Sequence, residues 1–252
     1  MQSVVEQLNT FESVTLKQLD SVKLQNRIDT KYILSKAQLV LLLEGIKDDQ
    51  FVLEIDNTRI FTYKTIYFDT PDFQFYKDHH NGCVNRVKVR SREYVESKLS
   101  FYEIKRKLFG TRTDKQRKII PAIYHEVPLA DYNLIQYKRL NNKPIEKKLT
   151  NNFKRITLTN KKFTERITID LEIGFDNGKK QTHLPELVVI EVKQGKSDVF
   201  SNTIQMLKKL RVHESSFSKY VIGVSLLEEN IKHNNFKPIL LKLNKIENYA
   251  RC

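Results

Sequence analysis

The sequence predicts an α+β fold in which an antiparallel sheet curls or closes on itself, with helices packed outside. Three observations lead there. Four stretches, at 84–95, 101–107, 164–172 and 187–194, alternate in residue type with period two, as strands do. Each pairs an apolar face with a charged face, and the charged faces together carry eight basic and four acidic residues. Helical stripes are few by comparison, and those at 36–47, 122–140 and 199–211 carry the apolar residues needed to cover the sheet from outside.

The elements follow in order. Val4, Leu8, Phe11, Leu16 and Leu19 are spaced in a partly helical way, so residues 3–24 read as short helices on the body. Arg27 to Leu34 reads as a strand with Arg27, Asp29 and Lys31 on one face. Ser35 with Gln38 three residues on is a capping-box pattern, opening a helix whose buried side is Leu39, Leu42, Leu43 and Ile46. Thr58 to Asp69 reads as a strand, Thr70-Pro71-Asp72 as a turn or helix start, and Asn81-Gly82 as the turn into the most basic stretch.

That stretch is Arg86-Val87-Lys88-Val89-Arg90-Ser91-Arg92-Glu93-Tyr94. Arg86, Lys88, Arg90, Arg92 and Tyr94 share one face, and Val87 and Val89 the other. The next strand puts Phe101, Glu103, Lys105 and Lys107 opposite Tyr102 and Ile104. Gly110 and Asp114 bracket a loop before Lys115-Gln116-Arg117-Lys118, and Asn141–Asn152 reads as a polar loop. Strands resume with Arg155 and Thr157 on one face, then Arg166, Thr168, Asp170 and Glu172, then Val189, Glu191 and Lys193. Ser218-Lys219-Tyr220 opens a last short strand or helix, and residues 237–249 form a basic amphipathic helix.

The chain has 252 residues, 40% of them hydrophobic, with a net charge of +14. This length suits one domain with helical appendages: an N-terminal segment 1–24, a body 25–226 and a C-terminal helix 227–252. The excess of cations calls for a polyanionic partner. Cys83 and Cys252 are too few for a disulfide framework or a thiolate zinc site. No signal peptide and no apolar run of about 20 residues is present, which predicts a cytoplasmic protein. His79, His80 and His125 are expected at the surface.

Side chains two apart on a strand sit roughly 6.6 Å apart. Four cations in such a row repel one another unless something negative lies across them. An antiparallel sheet can also leave a charged face to solvent, so the single strand does not decide. If the charged faces turn inward, they line a water-poor channel. Two unit charges 4 Å apart interact by roughly 4 kcal/mol at an effective dielectric of 20, against about 1 in water. Such a channel grips a linear polyanion. Glu191, Glu103 and Asp170 then either ligate a divalent cation together with substrate phosphates, or close internal salt bridges, for instance Glu191 with Arg166.

In order, the chain carries Arg27-Ile28-Asp29-Thr30-Lys31-Tyr32, Tyr67-Phe68-Asp69-Thr70, Lys88-Val89-Arg90-Ser91-Arg92 and Glu103-Ile104-Lys105. Glu165-Arg166-Ile167-Thr168-Ile169-Asp170, Glu191-Val192-Lys193 and Phe217-Ser218-Lys219-Tyr220 follow. Over about residues 24–226 this succession resembles the VTC domain, the polyphosphate polymerase domain of the CYTH-like triphosphate tunnel fold.

The resemblance implies an eight-stranded antiparallel barrel, the triphosphate tunnel, with helices outside. It implies transfer of the γ-phosphate of ATP to a growing inorganic polyphosphate chain, with a divalent metal, Mn²⁺ or Mg²⁺. By motif, Lys31, Arg90, Arg92, Lys105, Arg155, Arg166, Lys193 and Lys219 would hold the phosphates and Glu191 the metal. Lys115 joins them on a looser pattern, while Tyr32 and Tyr67 read as packing residues.

The hydrolytic branch of the fold opens with Glu-x-Glu-x-Lys. Here the first acid is Arg27, which favours holding a long polyanion over activating water, while Asp29 keeps triphosphate hydrolysis open. A non-catalytic polyphosphate-binding module is the remaining alternative. No helix-turn-helix, zinc-finger or RNP-type pattern supports a nucleic-acid partner. The membrane helices attached to some relatives are absent from this sequence, so a separate membrane protein and a place at the inner face of the membrane are the implied setting.

Overall fold

A computed structural model describes residues 1–20, 28–108, 113–140, 143–195 and 200–249. Arg27, Gly110 and Cys252 lie outside these residues.

The chain opens with helix α1 (Gln2–Asn9), strand β1 (Glu12–Val14) and helix α2 (Leu16–Asp20). Strand β2 (Ile28–Ser35) runs into helix α3 (Lys36–Ile46). The expected capping box is formed: the Gln38 amide N–H donates to the Ser35 hydroxyl at 3.2 Å, and the Ser35 N–H donates to the Gln38 side chain at 3.0 Å. Strands β3 (Gln50–Leu53) and β4 (Phe61–Asp69), helix α4 (Gln74–His80), and strands β5 (Arg86–Tyr94), β6 (Leu99–Lys107) and β7 (Thr113–Ile120) follow. Helix α5 (Leu129–Tyr132) is a single turn. Strands β8 (Glu146–Asn160), β9 (Glu165–Asp176), β10 (Gln181–Leu184) and β11 (Leu187–Gln194) complete the sheet. Helices α6 (Asn202–Lys209), α7 (Lys219–Leu227) and α8 (Lys237–Tyr249) end the chain.

Eight strands follow one path, β2-β11-β9-β8-β4-β5-β6-β7, each antiparallel to its neighbours. β3 pairs with the end of β8, β10 with the end of β9 and β1 with β3, which makes eleven strands among the described residues. The eight-stranded closed barrel is therefore corrected. Among the described residues β2 and β7 end the path without pairing to each other, so the sheet is open along one side.

Two further expectations change. Residues 122–140 contain one helical turn and a short 3₁₀ segment instead of a helix. Pro121 and Pro128 interrupt the pattern, because proline lacks an amide donor and disfavours helical geometry in the residue before it. The tract 141–152 is largely strand, since β8 begins at Glu146 and pairs with both β4 and β9. Sheet pairing over long range overrides its polar composition.

The outer face is covered as its period-two pattern requires. Ile167, Ile169, Leu171, Val188, Ile190 and Val192 pack with Leu39, Leu42 and Leu43 of α3, Val4 and Leu8 of α1, and Ile204 and Leu207 of α6. Val87, Val89, Tyr102 and Ile104 pack with Phe75 of α4 and with Val127 and Ile135. Helix α7 is different, because it sits inside the curve. Its Val221, Ile222 and Val224 join Ile33, Val189, Leu149 and Phe153, which share strand faces with Lys31, Glu191 and Arg155. Gly223 makes the approach possible: a Cβ there would lie 2.5 Å from Leu149 Cδ2 and 2.6 Å from Phe175 Cδ1. The helix thereby fills part of the concave face and leaves the charged remainder as a cavity.

Candidate functional site

The concave face is built from strand alternation. On β5, Lys88, Arg90 and Arg92 point inward because Val87 and Val89 are claimed by the outer core. With cations from β2, β6, β7, β8 and β11 they line a cavity of about 280 Å³, along with Lys219 at the start of α7. Nine cations and four acids face it.

The four acids are occupied. Arg90 and Glu103 stand directly opposite on β5 and β6, and Arg90 Nε and Nη2 each lie 2.7 Å from Glu103 Oε2. Lys115 Nζ is 2.6 Å from the other oxygen. Burial alone would raise the Glu103 carboxyl, but Arg90, Arg92 and Lys115 hold it well below the usual range. On β8 and β9, Arg155 grips Asp170 with both fork nitrogens, at 2.6 and 2.8 Å, and Lys219 bonds the same carboxylate. Asp170 too is held well below the usual range, against the effect of its burial. Glu191 Oε2 accepts from Lys193 Nζ at 2.5 Å, and Lys31 Nζ lies 3.7 Å from Oε1. Asp29 is 3.4 Å from Lys193.

The remaining cations crowd one another. Lys88 donates to the Ser218 hydroxyl at 2.9 Å and Lys31 to the Phe217 carbonyl at 3.0 Å. Burial and the charges of Lys31, Arg90 and Lys105 push Lys88 well below its ordinary value. Burial likewise lowers Arg92 and Lys105, with further repulsion from Arg90 and Lys31 respectively. Burial lowers Lys219 to about 8, although Asp170 pulls the other way. An anion entering such a cluster favours the charged form of each cation.

Seven of the eight sequence-derived phosphate ligands line this cavity: Lys31, Arg90, Arg92, Lys105, Arg155, Lys193 and Lys219. Arg166 is not among the lining residues. It lies at the end of β9, where its Nη2 donates to the Leu19 carbonyl at 2.8 Å. The suggested Glu191–Arg166 pair gives way to Lys193 and Lys31. Tyr32 packs in the outer core, whereas Tyr67, although buried with α7, also lines the cavity beside Arg90. Lys88 was absent from the predicted ligand set although period two places it beside Arg90. His79 and His80 are corrected: His80 is buried, and His79 lines a second cavity, where burial and neighbouring Lys88 and Arg86 push it down to about 3.

Among the described residues no three His, Cys, Asp or Glu side chains converge as a cage for a metal ion. Glu103 and Asp170 give their oxygens to cations and do not suit one. Glu191 does. Across from it on β9 stands Thr168, whose buried hydroxyl oxygen has no hydrogen-bond partner. One carboxylate beside an unsatisfied oxygen suits a hard cation such as Mg²⁺ or Mn²⁺, which takes its other ligands from water and phosphate. Among the described residues, no helix is long and apolar enough to cross a membrane.

The fold is similar to that of HpAC1 from Hippeastrum, an adenylyl cyclase candidate with a dominant triphosphatase activity. The two are 13% identical over 82% of this chain and 100% of the other, with a TM-score of 0.50. An adenylate cyclase candidate from Vibrio parahaemolyticus matches at 13% identity over 79% of this chain and 98% of the other, with a TM-score of 0.44. No curated protein matches the chain. The VTC domain matches residues 26–228, which takes in every strand from β2 to β11 and the whole of α7, and the chain belongs to the VTC domain family.

Proposed function

We propose that the chain is a polyphosphate polymerase, moving the γ-phosphate of ATP onto the end of an inorganic polyphosphate chain. One observation carries this reading: nine cations face four acids in a single concave cavity, and each acid is already held by a cation of the wall. The surplus charge is left for a ligand, and a row of cations along β5 suits a linear polyanion.

In the transfer, a terminal oxygen of the acceptor chain forms a bond to the γ-phosphorus, the bond from that phosphorus to the β,γ-bridging oxygen breaks, and ADP leaves. The acceptor oxygen is already ionised, so no side chain has to act as nucleophile or base. Arg90 and Arg92 would bind non-bridging oxygens with forked donors, and Lys31, Lys88 and Lys105 would offset charge as the bond breaks. Glu103 holds Arg90 in place and Asp170 holds Arg155 and Lys219, so these donors are oriented before substrate arrives. A divalent cation held at Glu191 would supply further charge neutralisation between phosphate oxygens.

Asp29 favours a second reading, triphosphate hydrolysis, because it places a carboxylate beside Glu191 through their shared partner Lys193. The two separate in one experiment. Purified protein is incubated with ATP and Mn²⁺, and the products are resolved by gel electrophoresis. Long polyphosphate with ADP supports the polymerase, and an Arg90→Ala/Arg92→Ala variant is inert. Orthophosphate as the sole phosphate product supports the hydrolase. Tight polyphosphate binding without turnover makes the domain a binding module.

A further inference from the structure

The cavity of the proposed transfer site opens, past Lys31, Lys88 and Lys105, into a second cavity of about 360 Å³. The two differ in chemistry. The first is walled largely by charge. The second has a charged side, with Arg86 and Lys107, and an apolar side formed by Val221 and Ile222 of α7 with Phe236, just before α8, and Ile239 in its first turn. Phe236 and Ile239 are only partly buried, and both lie beyond residue 228, where the family match ends. His79 stands at the same wall, edge-on to Phe236 with ring centroids 6.1 Å apart.

An inorganic phosphate chain has no apolar surface and gains nothing from such a wall. A ligand that joins a triphosphate to a planar heterocycle uses both sides. The volume falls within the roughly 300–1,000 Å³ typical of small-molecule sites. His79, kept uncharged by burial and by Lys88 and Arg86, offers ring nitrogens for hydrogen bonding without adding a charge.

We infer that this second cavity binds the nucleoside of the nucleotide donor, with its base against Phe236 and Ile239 and its phosphates reaching through the lysine neck to Arg90. The inference rests on the polymerase reading and gives the cavity a direction. The nucleotide enters on the α8 side, and the acceptor chain occupies the opposite end, near Tyr94 and Lys115.

The test is calorimetric binding of the β,γ-imido analogue of ATP and of inorganic tripolyphosphate to wild type, Phe236→Ala and Ile239→Ala. Loss of the aromatic face is expected to weaken the nucleotide about tenfold while tripolyphosphate stays within about twofold. Ile239→Ala shifts the same ratio by a smaller factor. Nucleotide affinity unchanged in both variants, or both ligands weakened alike, overturns the inference. Photolabelling of wild type with 8-azido-ATP gives a reading that needs no variant: label on the peptide carrying Phe236 supports the site, and label confined to the Tyr94 end overturns it. Wild-type protein that binds neither anion defeats the polymerase reading itself, a result distinct from loss of the nucleoside end alone.

Discussion

Glu103 and Arg90 face each other across the β5–β6 ladder, with two guanidinium nitrogens 2.7 Å from a single carboxylate oxygen. The acid costs the cavity one unit of positive charge and in return fixes the direction of its central arginine. Replacing it with glutamine separates the two effects. Glu103→Gln should bind tripolyphosphate about fivefold more tightly, since on the order of 1 kcal/mol of opposing charge is removed at an effective dielectric near 20. Its turnover should fall about tenfold, because Arg90 is no longer aimed. Calorimetry and an ADP-release assay on one preparation measure both.

Asp170 bears on stability. It is almost fully buried between Arg155 and Lys219, and removing it leaves two largely buried cations without their partner. Asp170→Asn should lose about 3 kcal/mol in urea unfolding at neutral pH. The carboxyl is depressed in the fold, so its contribution is complete above the ordinary carboxylate range and disappears as pH falls through the folded value. The gap between wild type and variant should therefore narrow in acid. Saturating tripolyphosphate should restore part of the lost stability, by supplying the missing anion.

Lys219 gives the site a dependence on alkaline pH. Burial brings it to about 8, so it loses its charge as pH rises through that value. The charged form is the one that holds an anion, and binding draws a proton back onto it. Affinity for tripolyphosphate in wild type should fall between pH 7 and 9 relative to Lys219→Arg, by up to about tenfold, because arginine keeps its charge throughout. Parallel pH profiles for the two proteins would exclude Lys219 as the titrating group.

Two glycines make a control pair for the packing of α7. A Cβ at Gly223 meets Leu149 and Phe175 in the core, whereas a Cβ at Gly45 meets the flexible end of Met206. Overpacking of about 2 kcal/mol at Gly223→Ala exceeds the gain of roughly 1 kcal/mol from better helix propensity. Its melting temperature should fall by several degrees, while that of Gly45→Ala changes little. Lys219 starts the same helix, so the Gly223 variant should also weaken tripolyphosphate binding.

Where one interaction dominates a stretch, the sequence could be read directly. β5 alternates so regularly that its limits and both faces follow from residue type, and the Ser35–Gln38 cap marks the start of α3. Period two also placed Arg90, Glu103 and Lys105 on a common wall. It misplaced Arg166, since a shared strand face does not say which end of the strand the cavity reaches. β8 begins in a polar run whose Asn151 is buried and donates to the Gly174 carbonyl at 2.8 Å. That bond exists only once two distant strands meet, so no local pattern announces it. Whether the sheet closes depends on how β2 and β7 finally lie, which residue alternation within each strand does not determine. Helix α7 reads as one more apolar helix until its position inside the curve is known.

Among the described residues β2 and β7 share no ladder, and on the polymerase reading this makes the cargo part of the architecture. Lys31 stands on the β2 side of the opening and Lys115 on the β7 side, and both face the cavity. A polyanion lying between them supplies the tie that backbone amides do not. On the polymerase reading, each lengthened product would also be the clasp that holds its own container shut, and retention of the polymer would scale with the number of phosphates spanning the gap.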